Sequence, residues 1–251
     1  MNATCSLQHC EMGQWACFLS SSAQPLSEVT QSKSRFEGEN VLFGAEITSV
    51  SRSLYDSKVL YELDMFDVKE AVEIPSFVLA CLHYLKAPRM KTKGLFRVSS
   101  DFNELQQAKR ILGAKKSIDL ESLEDLTSDP HLIANLLKVF LRDLIEPVIP
   151  FECYDSFLEA KDSSFLLVEQ VRGLPELNRN VLLVILRFLV EMLQYEESTL
   201  MGPKALAILF APNLLRVPVL TPEIMLRDSP HQMQCMMTLI EWANKRVAKH
   251  V

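Results

Sequence analysis

An all-α protein built as a helical bundle is the fold class this sequence predicts, and three observations predict it. Apolar residues recur at three- and four-residue spacing through most of the chain beyond residue 41. No run alternates apolar and polar residues for long enough to read as a strand. Glycine is scarce, at 7 of 251 residues, and the 12 prolines tend to stand at the edges of apolar segments. With 48% hydrophobic residues, the chain can bury a sizeable core.

Residues 1–40 are serine-rich, with three serines in a row at Ser20 to Ser22, and show no sustained period. They read as a disordered or loosely ordered lead-in with a small apolar patch from Trp15 to Leu19, ahead of a domain over 41–249. A short helix is expected over 55–69. In "EIPSFVLACLHYLKAP", Pro75 suits a first helical turn, Phe77, Val78, Cys81, Leu82 and Leu85 fall at helical spacing, and the helix should stop near Pro88. Asp101 and Glu104 make a capping-box start to "DFNELQQAKRIL", whose Phe102, Leu105, Ala108 and Leu112 line one side.

The clearest helix is "SDPHLIANLLKVFLRDLIEP". Asp129 caps it, Pro130 opens it, and Leu132, Ile133, Leu136, Leu137, Phe140, Leu141 and Leu144 form a continuous apolar face. Its polar face holds Asn135, Lys138 and Arg142, and the two cations, four residues apart, should repel unless an acid or an anion lies between them. Short helices follow at about 151–160 and 163–172. "ELNRNVLLVILRFLVEMLQY" is apolar nearly all round from Val181 to Leu193, which places it at the centre of the bundle. "GPKALAILFAPNLLR" is expected to begin a helix at Pro203 and break it at Pro212, leaving Asn213 in a bend. Ser229 and Pro230 should start the last helix.

Several function classes are excluded. The longest unbroken apolar runs, Val181 to Leu186 and Ala205 to Ala211, fall well short of the roughly 20 residues of a spanning helix. No basic segment followed by a sustained apolar one marks a secretory signal, so a cytoplasmic protein is expected. The six cysteines are scattered and do not make a disulfide framework; Cys5, His9, Cys10 and Cys17 match no common zinc spacing. There is no phosphate-binding glycine loop, no Ser-His-Asp or Cys-His arrangement and no catalytic carboxylate pair.

What remains is positive charge. The net charge is −6, yet nine cations stand against two acids between Lys86 and Lys116, so a basic zone sits on an acidic chain, either as an ordinary solvated face or as a match for an anionic partner. Within that zone "KGLFRVSS" sets Arg97 among Leu95, Phe96 and Val98 in a short loop between two helices. Taken alone, Arg97 reads as an ordinary surface cation whose neighbours face inward. A nucleic-acid or anionic-membrane binder is disfavoured, because only Phe96 and Phe102 are interleaved with the cations. If Arg97, Lys138, Arg142 and Asn213 converge, they cannot act as a base at neutral pH. They can stabilise an anionic transition state, as in phosphoryl transfer, with the nucleotide and its magnesium held by a partner protein.

Three segments, "GLFRVSS", "LLKVFLRDLIEP" and "LMGPKALAILFAPNLLR", in this order and at these separations, resemble the GTPase-activating domain of the RhoGAP family; "LFGAEI" near residue 42 resembles its opening. The resemblance implies an all-helical RhoGAP-like bundle and an activator used in signal transduction, without an independent active site. It implies Arg97 as an arginine finger that enters the active site of a GTP-bound Rho- or Rac-type small GTPase, while Lys138 and Arg142 support the finger loop and line the contact, with Asn213 near the same site. It implies no cofactor of the chain's own, a monomer, and membrane association only through the partner or the N-terminal segment. Where the family commonly has Glu, Gly, Pro and two Asn, this chain has Lys93, Ser100, Ile145, Thr199 and Ala205. The changes at Ser100, Thr199 and Ala205 motivate an alternative, a RhoGAP-fold binding module that docks a GTPase without accelerating hydrolysis.

Overall fold

A computed structural model of the chain describes residues 42–56, 60, 63, 71–115, 117–219 and 221–249. The expectations for residues 1–40, for the early Cys and His residues and for most of 55–69 lie outside the described residues.

The described chain opens with a feature that the sequence pattern did not announce. β1 (Arg52–Asp56) pairs antiparallel with β2 (Ala71–Pro75) in a two-stranded ribbon, in register Ser53 to Ile74 and Tyr55 to Val72. Tyr55 and Asp56 are therefore strand, where a helix was expected. Five residues give too few alternations to register as a period, and the ribbon draws its order from neighbours: Val72 and Ile74 are buried in the core while Arg52 pairs with Glu73 across the strands at 2.7 Å. The segment before it, "LFGAEI", packs Phe43 edge-on against Phe77 and Phe140 and buries Ala45 and Ile47.

Helices make up the rest. α1 (Ser76–Tyr84) follows β2 directly and is buried at every position except His83. A 3₁₀ turn (Arg89–Lys91) and a loop lead to α2 (Phe102–Gly113), where Asp101 Oδ1 accepts from the backbone N–H of Asn103 and Glu104 at 2.9 and 3.0 Å, as the capping pattern predicts. Phe102, expected on the inner face of α2, is 57% exposed. It occupies the first helical position, before α2 has turned its face onto the core.

α3 (Leu120–Glu124) precedes α4 (Pro130–Asp143), which begins as expected with Asp129 accepting from His131 N at 2.9 Å and Pro130 in its first turn. Every residue of α4 from Leu132 to Leu141 is buried, including Asn135 and Lys138. α5 (Tyr154–Glu159) and α6 (Ser164–Gly173) are short; α7 (Glu176–Leu193) buries all of Val181 to Leu186; α8 (Glu196–Thr199) is a single turn. No helix among the described residues is long and apolar enough to cross a membrane.

The last two helices correct the reading of proline as a terminator. α9 (Pro203–Leu214) passes through Pro212, so Asn213 is helical and not in a bend. α10 (Pro222–Val247) begins at Pro222 behind a Thr221 cap and passes through Pro230. Ser229 caps nothing; its hydroxyl donates to the carbonyl of Met225 one turn back. A proline in the last turn of α9 costs a single backbone bond. In α10 the break is offset by a buried network in which Asp228 accepts from the Tyr154 hydroxyl at 3.0 Å and Gln232 donates to the Leu215 carbonyl at 2.8 Å, tying α10 to α5 and to the end of α9.

Candidate functional site

The loop from Thr92 to Asp101 joins the 3₁₀ turn to α2 and carries Arg97. It is anchored by backbone and by two apolar side chains. Gly94 N donates to the Thr199 carbonyl at 2.7 Å, and Arg97 N and Val98 N both donate to the Gly94 carbonyl, at 2.8 and 3.0 Å. The tight turn requires left-handed backbone at two places, Gly94 (φ 69°) and Phe96 (φ 68°). Glycine accepts that without strain; phenylalanine does not, and it is held there by its surroundings. The Phe96 ring is fully buried, edge-on to Phe188 of α7 at 6.1 Å and to Phe210 of α9 at 4.9 Å, and Leu95 is buried beside it.

Arg97 itself is exposed. Val98, expected to face inward with the other neighbours of Arg97, is 44% exposed, with Cγ2 lying over Gly94. The alternation of inward and outward residues that strand-like spacing would give fails here, because the left-handed turn at Phe96 redirects the chain.

α4 meets this loop from below. Lys138 is buried and its Nζ donates to the Phe96 carbonyl, the oxygen of the peptide that leads into Arg97. Burial, and to a lesser degree the neighbouring Arg142 charge, push the Lys138 ammonium down to about 8 from its ordinary 10.5. Asn135, one turn earlier on the same side, donates through Nδ2 to the Val98 carbonyl at 3.0 Å and to the His131 carbonyl at 2.8 Å. The helical spacing marked Asn135 as part of the polar face, but its partner lies 37 residues back and leaves no trace in the local pattern.

The other two expected residues stand differently. Arg142 is half-buried near the C-terminus of α4, with Nε donating to Asp143 Oδ1 at 3.1 Å; Asp143 Oδ2 accepts from Lys109 of α2 at 2.8 Å. An acid thus stands beside Arg142, easing the cation crowding that the sequence predicts. Asn213 is 1% exposed; Nδ2 donates to the Leu209 carbonyl at 2.6 Å and Oδ1 is buried without a partner. α9 packs against α4. Among the described residues neither Arg142 nor Asn213 hydrogen-bonds to the Arg97 loop, so Lys138 alone of the three is bonded to it. Arg216, which the sequence reading did not single out, holds the end of α4: its guanidinium donates to the carbonyls of Arg142, Leu144 and Ile145. A cation just beyond a long helix motif is the signal that could have found it.

The departures are also placed. Ser100 does not need glycine's freedom, since its φ is not left-handed, but its hydroxyl is buried without a partner. Thr199 supplies the carbonyl that holds Gly94, and its Oγ1 accepts from Met201 N at 3.2 Å. Ile145 donates its backbone N–H to the Ala45 carbonyl at 3.1 Å, a bond that proline could not make.

Residues 75–219 match the RhoGAP domain. Mouse Rho GTPase-activating protein 24 is 34% identical over 177 residues, covering 66% of this chain and 23% of that protein. Human Bargin is 34% identical over 152 residues, covering 58% of this chain and 22% of its own. The chain thus spans less than a quarter of the length of these curated relatives. Among solved structures, human Rho GTPase activating protein 15 shares the fold over 89% of this chain and 99% of its own, with 22% identity and a TM-score of 0.67.

Proposed function

The chain belongs to the RhoGAP family, and from that premise we propose that it stimulates GTP hydrolysis by Rho-family small GTPases, with Arg97 supplied in trans to the partner's active site. The observation that carries this reading is an exposed arginine at the crest of a loop whose flanking peptide is fastened to the buried Lys138. An arginine held this way loses little freedom on docking, and its planar fork can reach two phosphate oxygens at once. Charge developing between the β- and γ-phosphates is stabilised by such a group, while the partner holds the nucleotide and magnesium and orients the attacking water. Arginine fingers contribute about 10³ to 10⁵ in rate.

The burial of Asn213, with its donor spent inside α9, supports a second reading at that one point: a binding module that docks without accelerating hydrolysis. Single-turnover hydrolysis by Rho-, Rac- and related GTPases separates the two. Wild type should accelerate hydrolysis strongly, and Arg97→Ala should lose at least a hundredfold while still binding the GTP-loaded partner. Acceleration left intact in Arg97→Ala overturns the finger assignment, and binding without acceleration by wild type selects the second reading.

A further inference from the structure

We propose that Asn135 is a positioning residue for Arg97, setting the exit of the loop as Lys138 sets its entrance. The proposal rests on the reading of Arg97 as the group delivered to a partner GTPase.

Two peptide carbonyls bracket Arg97, that of Phe96 before it and that of Val98 after it. Lys138 takes the first and Asn135 the second, from positions three residues apart on α4. α4 is a firm base for both, capped by Asp129 and buried from Leu132 to Leu141. The entrance has further support: Phe96 is locked by its ring, and Gly94 by Thr199. The exit has less. Val98 N donates to the Gly94 carbonyl at 3.0 Å, but the Val98 side chain is 44% exposed and the Ser100 hydroxyl is unpaired. Between the turn at Gly94 and the Asp101 cap, the Asn135 amide is the side-chain bond that fixes the direction in which the chain leaves Arg97.

The chemistry of the amide fits this task. Asparagine is a poor choice for a helix interior because its side chain competes for backbone groups. Here both amide hydrogens have a carbonyl, at His131 and at Val98, and two acceptors require the nitrogen rather than the oxygen to face them. With both sides of Arg97 held, its backbone has few conformations left, and the side chain leaves the loop in one direction.

The test uses the full chain carrying Asn135→Leu, which keeps the branched shape and loses both bonds, and Asn135→Ser, whose hydroxyl can keep the His131 carbonyl but is too short for Val98. In the free protein, ¹⁵N relaxation should show Arg97 to Ser99 becoming mobile in both variants. Single-turnover GTP hydrolysis by a responsive Rho-type GTPase should fall about fivefold at saturating activator, with affinity for the partner loaded with a non-hydrolysable GTP analogue unchanged. In an Arg97→Ala background the second substitution should cost nothing, since it acts through Arg97. An unchanged saturated rate, or the same fivefold loss without Arg97, overturns the proposal. If wild type accelerates no Rho-family GTPase, the functional reading fails, and the relaxation data still decide: unchanged mobility at Arg97 to Ser99 rejects the positioning role. Should the leucine variant not fold, the serine variant carries the same outcomes.

Discussion

Lys138 Nζ donates to the carbonyl oxygen of Phe96, so a cation buried in α4 is fastened to the peptide that leads into Arg97. Lys138→Met separates the packing of the stem from the charge and the donor. The domain should still fold: methionine follows the same apolar path, and removing a buried ammonium relieves a desolvation penalty that offsets the orphaned carbonyl, itself worth about 1–3 kcal/mol. The loop should lose one of its entrance anchors, and single-turnover GTP hydrolysis by the partner should fall at least tenfold. A melting curve near wild type combined with full stimulation would contradict this role for Lys138.

Gly94→Ala tests the turn itself. The left-handed backbone at Gly94 disfavours any side chain by roughly 1–2 kcal/mol. An added Cβ would also lie 3.0 Å from Val98 Cγ2 and 3.5 Å from Arg97 Nη2. The Val98 side chain must therefore give way, while the guanidinium lies at ordinary van der Waals distance, so the strain falls on the turn and on the residue just after Arg97. Chemical denaturation should register a loss of about 1 kcal/mol or more, and stimulated hydrolysis should fall by more than the stability change explains.

Much of this frame can be read from local pattern. The caps at Asp101 and Asp129 are legible because each acts on residues two or three positions away, and the buried face of α4 because helical spacing repeats over four turns. The family followed from motif order, and the same motifs singled out Arg97 and Lys138, which lie at one loop. The misreadings share a different cause: the deciding partner is remote. Helix α10 crosses Pro230 because Asp228 and Gln232 are held by Tyr154 and Leu215. β1 forms because β2 and the core receive it, and Asn213 is drawn inside by α9 continuing past Pro212. Asn135 reads as any residue of a polar face, because its Val98 partner is 37 residues away.

Ile145 offers a direct comparison with the proline common at this position in the family. The backbone there is permissive, since Leu144 just before it has φ −52° and ψ 141°, an extended geometry that a following proline favours. What Ile145→Pro removes is the N–H donated to the Ala45 carbonyl. That bond joins the "LFGAEI" segment to the end of α4, and its loss should cost about 1 kcal/mol. Urea denaturation should show that decrease, with stimulated hydrolysis unchanged, because Arg216 still holds the carbonyls of Arg142 and Leu144.

The buried ammonium of Lys138 makes stability depend on pH in a definite direction. Its folded value is about 8, against 10.5 for the free side chain. Below pH 8 the lysine is protonated in both states and the penalty for burying its charge is fully present. Between about 8 and 10.5 the folded protein releases the proton while the unfolded chain keeps it, so the unfolded state binds more protons and stability rises with pH. At about 1.4 kcal/mol per tenfold, the whole window is worth up to roughly 3 kcal/mol. Lys138→Met cannot titrate and should lack this term. Urea denaturation of both proteins at pH 7.5 and 9.5 should therefore show wild type gaining on the variant at the higher pH; a gap that stays constant would mean that the ammonium is solvated and the lysine is not buried against the loop.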